Sequence, residues 1–104
     1  MSRGKKYILS EQVEEDIDLM KEWLGESDLK LRTITSYLSR FREFAAWFEE
    51  REGRGITLDD MGDGLIADYE AYLRATYSRR DSISSRLRPL QLYTRWGHET
   101  GRLP

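Results

Sequence analysis

The sequence predicts an all-α domain, a four-helix bundle made of two helical hairpins, and three observations carry that expectation. In the stretch TITSYLSRFREFAAWF, residues 33–48, Ile34, Tyr37, Leu38, Phe41, Phe44, Ala45 and Phe48 recur at i, i+3, i+4, i+7, i+10, i+11 and i+14. That is the period of one buried helix face, where a strand would alternate. A shift of 49 positions lays Thr33 on Ser82, Ile34 on Ile83, Leu38 on Leu87, Phe41 on Leu90, Phe44 on Tyr93 and Trp47 on Trp96. Two such helices, each preceded by an acidic one, pair naturally as two hairpins with rough internal symmetry, and chance agreement of two amphipathic patterns is the alternative. Gly53 and Gly55 then mark a break near the middle of the chain.

Each element follows in order. Residues 1–9 read as a flexible N-terminal lead-in whose Arg3, Lys5 and Lys6 form either a phosphate-touching arm or a frayed end. Residues 10–104 read as the domain. Ser10 is a good N-cap, Glu11, Glu14, Glu15 and Asp16 suit the positive end of a helix dipole, and Val13, Ile17, Met20 and Leu24 form the buried stripe. Gly25 is expected to close this helix in the left-handed conformation. The second helix runs from Thr33 to about Glu52. Ile56 and Leu58 pack back on the core, and Thr57-x-x-Asp60 has the form of a capping arrangement that begins a short turn. A third helix is expected from about Leu65, with Tyr69, Tyr72, Leu73 and Thr76 on one face. The fourth begins near Asp81 or Ser82 and ends by Gly97, with Ile83, Leu87, Leu90 and Tyr93 inward. Pro89 removes a backbone donor and clashes with the preceding turn, so a kink or a restarted helix is expected there.

At 104 residues one core is the default, burying roughly 60–70% of the unfolded surface. The absence of cysteine excludes disulfides, thiolate zinc sites and a cysteine nucleophile. The basic start carries no apolar run of signal-peptide length, and no segment approaches the ~20 apolar residues of a membrane span. A soluble, cytoplasmic protein with no membrane partner is the expectation. The net charge is −2, but it is sorted along the chain: residues 7–29 carry −7 and 55–73 carry −5, while 30–42 carry +4 and 74–104 carry +5. Such sorting allows one basic face on a slightly anionic molecule.

Three segments together resemble a family. Thr33-x-x-x-Tyr37-x-x-x-Phe41-x-x-Phe44-x-x-Trp47, then Asp68-Tyr69-Glu70-Ala71-Tyr72-Leu73, then Ile83-x-x-x-Leu87-x-x-Leu90-x-x-Tyr93-x-x-Trp96 are similar in order and spacing to the N-terminal, SAM-like core-binding domain of tyrosine recombinases, the phage-integrase and Xer group. The likeness covers roughly residues 10–104. It implies a SAM-like bundle that grips duplex DNA at a recombination site, with the second and last helices against the major groove. It also implies, as partners, a C-terminal catalytic domain that completes the clamp, tethered after Gly101 and Pro104, and other recombinase protomers. No cofactor is implied.

Catalysis by the chain itself is not expected. His98 is the only histidine and has no partner at nucleophile or metal spacing, while Glu49 with Glu50 and Asp59 with Asp60 are sequence neighbours, which point apart on a helix. In the resembled family the catalytic residues occupy the absent domain, and Arg102 after His98 misses that family's His-x-x-Arg spacing by one. The piece is expected to bind and not to cut.

Binding to double-stranded DNA has a residue-level basis. Ser84, Arg88, Gln91 and Arg95 fall at i, i+4, i+7 and i+11, a polar stripe on the last helix. Arginine forks onto guanine or phosphate, glutamine bonds adenine edges, and serine donates or accepts. Arg79 and Arg80 precede the stripe and suit phosphates. On the second helix Thr35, Ser39 and Arg42 line one flank, with Arg32 further round. The acidic first helix is expected to face away from DNA. Leu92, Trp96 and Trp47 lie off their helices' central faces and either widen the core or dock another protein. The alternative function is accordingly a helical protein-protein interaction module that docks through Leu92 and Trp96 without touching nucleic acid.

Overall fold

The computed structural model describes residues 9–103. Helix α1 spans Glu11–Gly25, α2 Leu31–Glu52, α3 Asp63–Thr76 and α4 Arg80–Glu99, with a 3-10 turn over Leu58–Asp60. Among the described residues there is no strand, and the all-α expectation holds. Arg3, Lys5, Lys6 and Pro104 lie outside the described residues. Leu9, placed by sequence in the lead-in, is instead buried against the core.

The N-cap at Ser10 does two jobs. Its Oγ accepts from the Val13 amide at 3.4 Å, and its own amide donates to Glu49 Oε2 at 2.9 Å, which fastens the start of α1 to the end of α2. The two helices pack together as one hairpin and α3 with α4 as the other, while α2 and α4 join the hairpins. Gly53 ends α2 in the left-handed region at φ 77°, where the lack of a Cβ removes the strain, and donates to the Glu49 carbonyl at 2.8 Å. Past it, Asp60 Oδ2 accepts from the Thr57 amide at 2.8 Å and the Thr57 hydroxyl at 3.0 Å. The Arg54 guanidinium clasps both oxygens of the same carboxylate at 2.9 and 2.6 Å. That guanidinium and the Thr57 donors hold the Asp60 carboxyl down at about 2.

The core is the predicted one on α1 and α2: Val13, Ile17, Met20 and Leu24 face Ile34, Leu38, Phe41, Phe44, Ala45 and Phe48. An aromatic run ties the hairpins. Phe41 lies 4.7 Å from Tyr93, Phe44 lies 4.9 Å from Tyr69, and Tyr93 stacks 5.9 Å from Trp96. Ring pairs at these separations add about 0.5–1.5 kcal/mol each beyond the area they bury.

Several local expectations need correction. Gly25 stays within α1, because Glu26 caps it in the right-handed region and Ser27 supplies two donors, amide at 3.1 Å and hydroxyl at 2.6 Å, to the Leu24 carbonyl. With that carbonyl satisfied, no left-handed residue is required. Helix α2 begins at Leu31, α3 at Asp63, and α4 runs from Arg80 to Glu99. Pro89 neither restarts nor ends α4; its ring is buried, flanked along the helix by buried Ile83, Leu90, Tyr93 and Trp96. That packing offsets the roughly 3 kcal/mol cost of an interior proline. On α3 only Tyr69 and Leu73 of the expected face are buried; Tyr72 and Thr76 are exposed. Trp96 belongs to the core at 1% exposure, and Trp47 is half-buried beside Tyr69 and Tyr72.

Candidate nucleic-acid interface

Burial of Ile83, Leu90, Tyr93, Trp96 and Gly97 decides which way α4 faces. At 100° per residue, Arg80, Ser84, Arg88, Gln91 and Arg95 then fall within an arc of about 80° on the opposite side, over a rise of about 22 Å. All five are exposed. The sequence-derived stripe is therefore one continuous surface line, and Arg79, exposed just before it, extends it toward the α3 connection.

The charges on this line differ in how far they are already engaged. Arg95 Nε donates to Glu99 Oε2 at 2.7 Å, and its guanidinium lies 6.0 Å from the Trp23 ring. Among the described residues, Arg79, Arg80 and Arg88 make no ion pair, nor does Arg32 at the start of α2. Most other arginines have a carboxylate. Arg51 pairs with Asp68, Arg54 with Asp60, Arg74 with Glu70 and Arg86 with Glu43.

Arg42 is one of those. Its two terminal nitrogens donate to both oxygens of Glu14 on α1, each at 2.8 Å. The guanidinium pulls the Glu14 carboxyl below its usual range, and the carboxylate raises Arg42 further. Arg42 thus serves the α1–α2 hairpin. Thr35 and Ser39 are exposed on the same flank of α2, and Arg32 is exposed nearby. None of the four lines the groove beside the α4 stripe, so the structure gathers the α4 residues and leaves the α2 set apart.

That groove, of about 710 Å³, runs between α4, the start of α2 and the α1–α2 connection. Arg88, Gln91, Leu92 and Arg95 form one wall, Tyr37 comes from α2, and Trp23, Leu24 and Leu29 supply apolar surface opposite. Tyr37, which the period placed in the core, is half-buried there. Glu26 and Asp28 also line the groove. The carboxylates of Glu26 and Asp28 therefore border Arg88 and Arg95 across the groove.

Sequence reasoning passed over Arg86. It is buried on the inner side of α4, where Nε donates to Glu43 Oε1 at 2.9 Å, a terminal nitrogen donates to the Ser82 carbonyl at 3.0 Å, and the guanidinium lies 4.0 Å from the Tyr77 ring. Its place in the series Ile83, Arg86, Leu90, Tyr93 was the available signal. Tyr93, beside it in that series, is buried with a hydroxyl that has no partner among the described residues, and burial raises its ionisation well above the usual range. His98 is exposed. Among the described residues no group of three or more histidine, aspartate or glutamate side chains is placed to hold a metal ion, and no helix is long and apolar enough to cross a membrane. Comparison with protein-family models, with curated proteins and with solved structures returned no match.

Proposed function

We propose that this chain is a DNA-binding unit, the SAM-like core-binding piece of a site-specific tyrosine recombinase or integrase, working inside the cell beside a separate catalytic domain. The observation that carries the reading is the exposed line Arg80, Ser84, Arg88, Gln91 and Arg95, two of whose arginines have no carboxylate partner among the described residues. A backbone of phosphates supplies the counter-charge those arginines lack. Arg79, Arg80 and Arg88 anchor the duplex, while Gln91 and Ser84 lie within the same arc to reach base edges in the major groove. The motif order that resembles the recombinase domain, set out from the sequence, supports the same reading. In this mechanism the piece positions DNA and makes no bond, so its own affinity is modest.

Fluorescence anisotropy with a labelled duplex at low and high salt tests the reading. Binding that falls steeply with salt and is weakened by Arg88→Ala supports it; absence of binding to any duplex at low salt overturns it.

One observation favours a second reading, a helical interaction module. The groove beside α4 offers Trp23, Leu29 and Leu92 to a protein partner. Trp96, expected as the other anchor of that module, is buried and takes no part.

A further inference from the structure

A second hollow shares no lining residue with the groove beside α4 or with the outer α4 line. It lies among α2, α3 and the start of α4, measures about 280 Å³, and is walled by Trp47, Tyr69, Tyr72 and Tyr77 with Glu43, Glu50 and Arg86. Trp47 is 4.9 Å from Tyr69 and 5.9 Å from Tyr72, and Tyr69 stacks on Tyr72 at 5.9 Å, so three rings form one continuous wall. Tyr72 is 44% exposed and forms the open edge.

Two cations of the chain already rest on these rings. Arg86 lies over Tyr77, and Arg51, which is not among the lining residues, lies 5.1 Å from Trp47. Both are compensated, Arg86 by Glu43 at 2.9 Å and Arg51 by Asp68 at 2.7 Å and Glu52 at 3.2 Å. Arg40 shares Glu43 at 3.6 Å from outside the walls. Glu50 is the exception: it lines the hollow, is exposed, and has no ion-pair partner among the described residues. An aromatic wall presents negative π faces, and a carboxylate beside it without a cation makes an organic ammonium the fitting guest.

Size and shape narrow the guest. Small-molecule sites usually enclose roughly 300–1,000 Å³, so this hollow holds the tip of a side chain more readily than it envelops a whole ligand. Glu43 is already engaged by Arg86 and Arg40, which leaves Glu50 as the carboxylate to receive the guest. A lysine needs only a point contact for its ammonium and lays its aliphatic stem along ring surface.

We infer that the hollow receives the ammonium end of a lysine side chain presented by a partner protein, with Glu50 as counter-ion and Trp47 and Tyr72 as the rings it meets. The site is independent of whether the α4 line meets DNA.

The test follows the Trp47 indole N–H resonance, assigned with Trp47→Phe, in isotope-labelled protein titrated with the peptide Ac-Gly-Lys-Gly-amide and with its norleucine counterpart. The lysine peptide moves the Trp47 indole and the Tyr69 and Tyr72 amides at millimolar concentration, and the norleucine peptide does not. Glu50→Gln and Tyr72→Ala, both at exposed positions, each weaken the lysine response by roughly threefold or more. No movement of Trp47, equal movement with norleucine, or a response indifferent to both substitutions overturns the inference. No DNA is present, so this outcome is read separately from the duplex titration.

Discussion

Arg86 of α4 and Glu43 of α2 are joined by a 2.9 Å hydrogen-bonded ion pair whose side chains are only 11% and 20% exposed. The pair sits where the two hairpins meet, and the same guanidinium stacks on Tyr77 just ahead of α4. It lies on the same buried side of α4 as Ile83, Leu90 and Tyr93, opposite the outer line.

Removing one partner leaves the other largely buried without its close counter-charge: Glu43 keeps only Arg40 at 3.6 Å, and Arg86 keeps only the Ser82 carbonyl and the Tyr77 ring. Glu43→Ala is expected to destabilise the fold by about 2–3 kcal/mol in urea unfolding, and Arg86→Ala by at least as much because it also loses the Tyr77 contact. The double variant costs less than the sum of the two. Additive losses would show that the pair does not lock the hairpins.

The proposed DNA contact has a salt signature. Three neutralised phosphates, one for each of Arg79, Arg80 and Arg88, give a slope of log K against log salt of about −3. Arg80→Ala and Arg88→Ala each flatten that slope by about one, as loss of a phosphate contact does. Arg42→Ala leaves the slope unchanged, since Arg42 is held by Glu14 away from the α4 line; its expected cost is stability, about 0.5–1 kcal/mol for a pair whose side chains are 34% and 39% exposed. Anisotropy titrations at four or more salt concentrations separate the three variants.

Stability in acid depends on Asp60. Its carboxyl is held at about 2 by Arg54 and the Thr57 donors, below the ordinary value near 3.9 that an unfolded chain shows. A depressed folded-state value means the unfolded chain binds the proton first on acidification, so this contribution is complete above about pH 4 and is lost as the pH falls toward 2. Arg54 is 54% exposed, so solvent screening trims the contribution well below what a buried pair would give. Asp60→Asn is expected to show a shallower loss of stability than the parent between pH 4 and 2, measured by urea unfolding at each pH.

Local periodicity made most of the fold readable. The stripes from Val13 to Leu24 and from Ile34 to Phe48 report which side each helix buries, and the α4 line from Ser84 to Arg95 was read from the same spacing. Pairings distant in sequence were not readable. Glu14 takes Arg42 from 28 positions away, and Glu43 takes Arg86 from 43 away. Nothing local marks one arginine as tied and its neighbour as open. Pro89 is a related case: its cost is local and visible in the sequence, whereas the burial of its ring within a continuous α4 is not.

Gly97 tests that tertiary packing directly. A Cβ added there would stand 2.8 and 2.9 Å from the two methyls of Leu58 and 3.0 Å from a Leu103 methyl, because the 3-10 turn crosses the last turns of α4 at this point. These are flexible side-chain ends, so the molecule can yield, but at the expense of the Leu58 rotamer and of the turn that Asp60 caps. Alanine would otherwise favour the helix by about 1 kcal/mol over glycine. Overpacking of this kind costs about 1–3 kcal/mol. Gly97→Ala is therefore expected to lower stability by up to about 2 kcal/mol despite its better helix propensity. Combined with Leu58→Ala, which empties the space the new methyl needs, the loss should be smaller than the sum of the two single changes. A stabilising Gly97→Ala would mean that Leu58 and Leu103 do not press on α4 at this point.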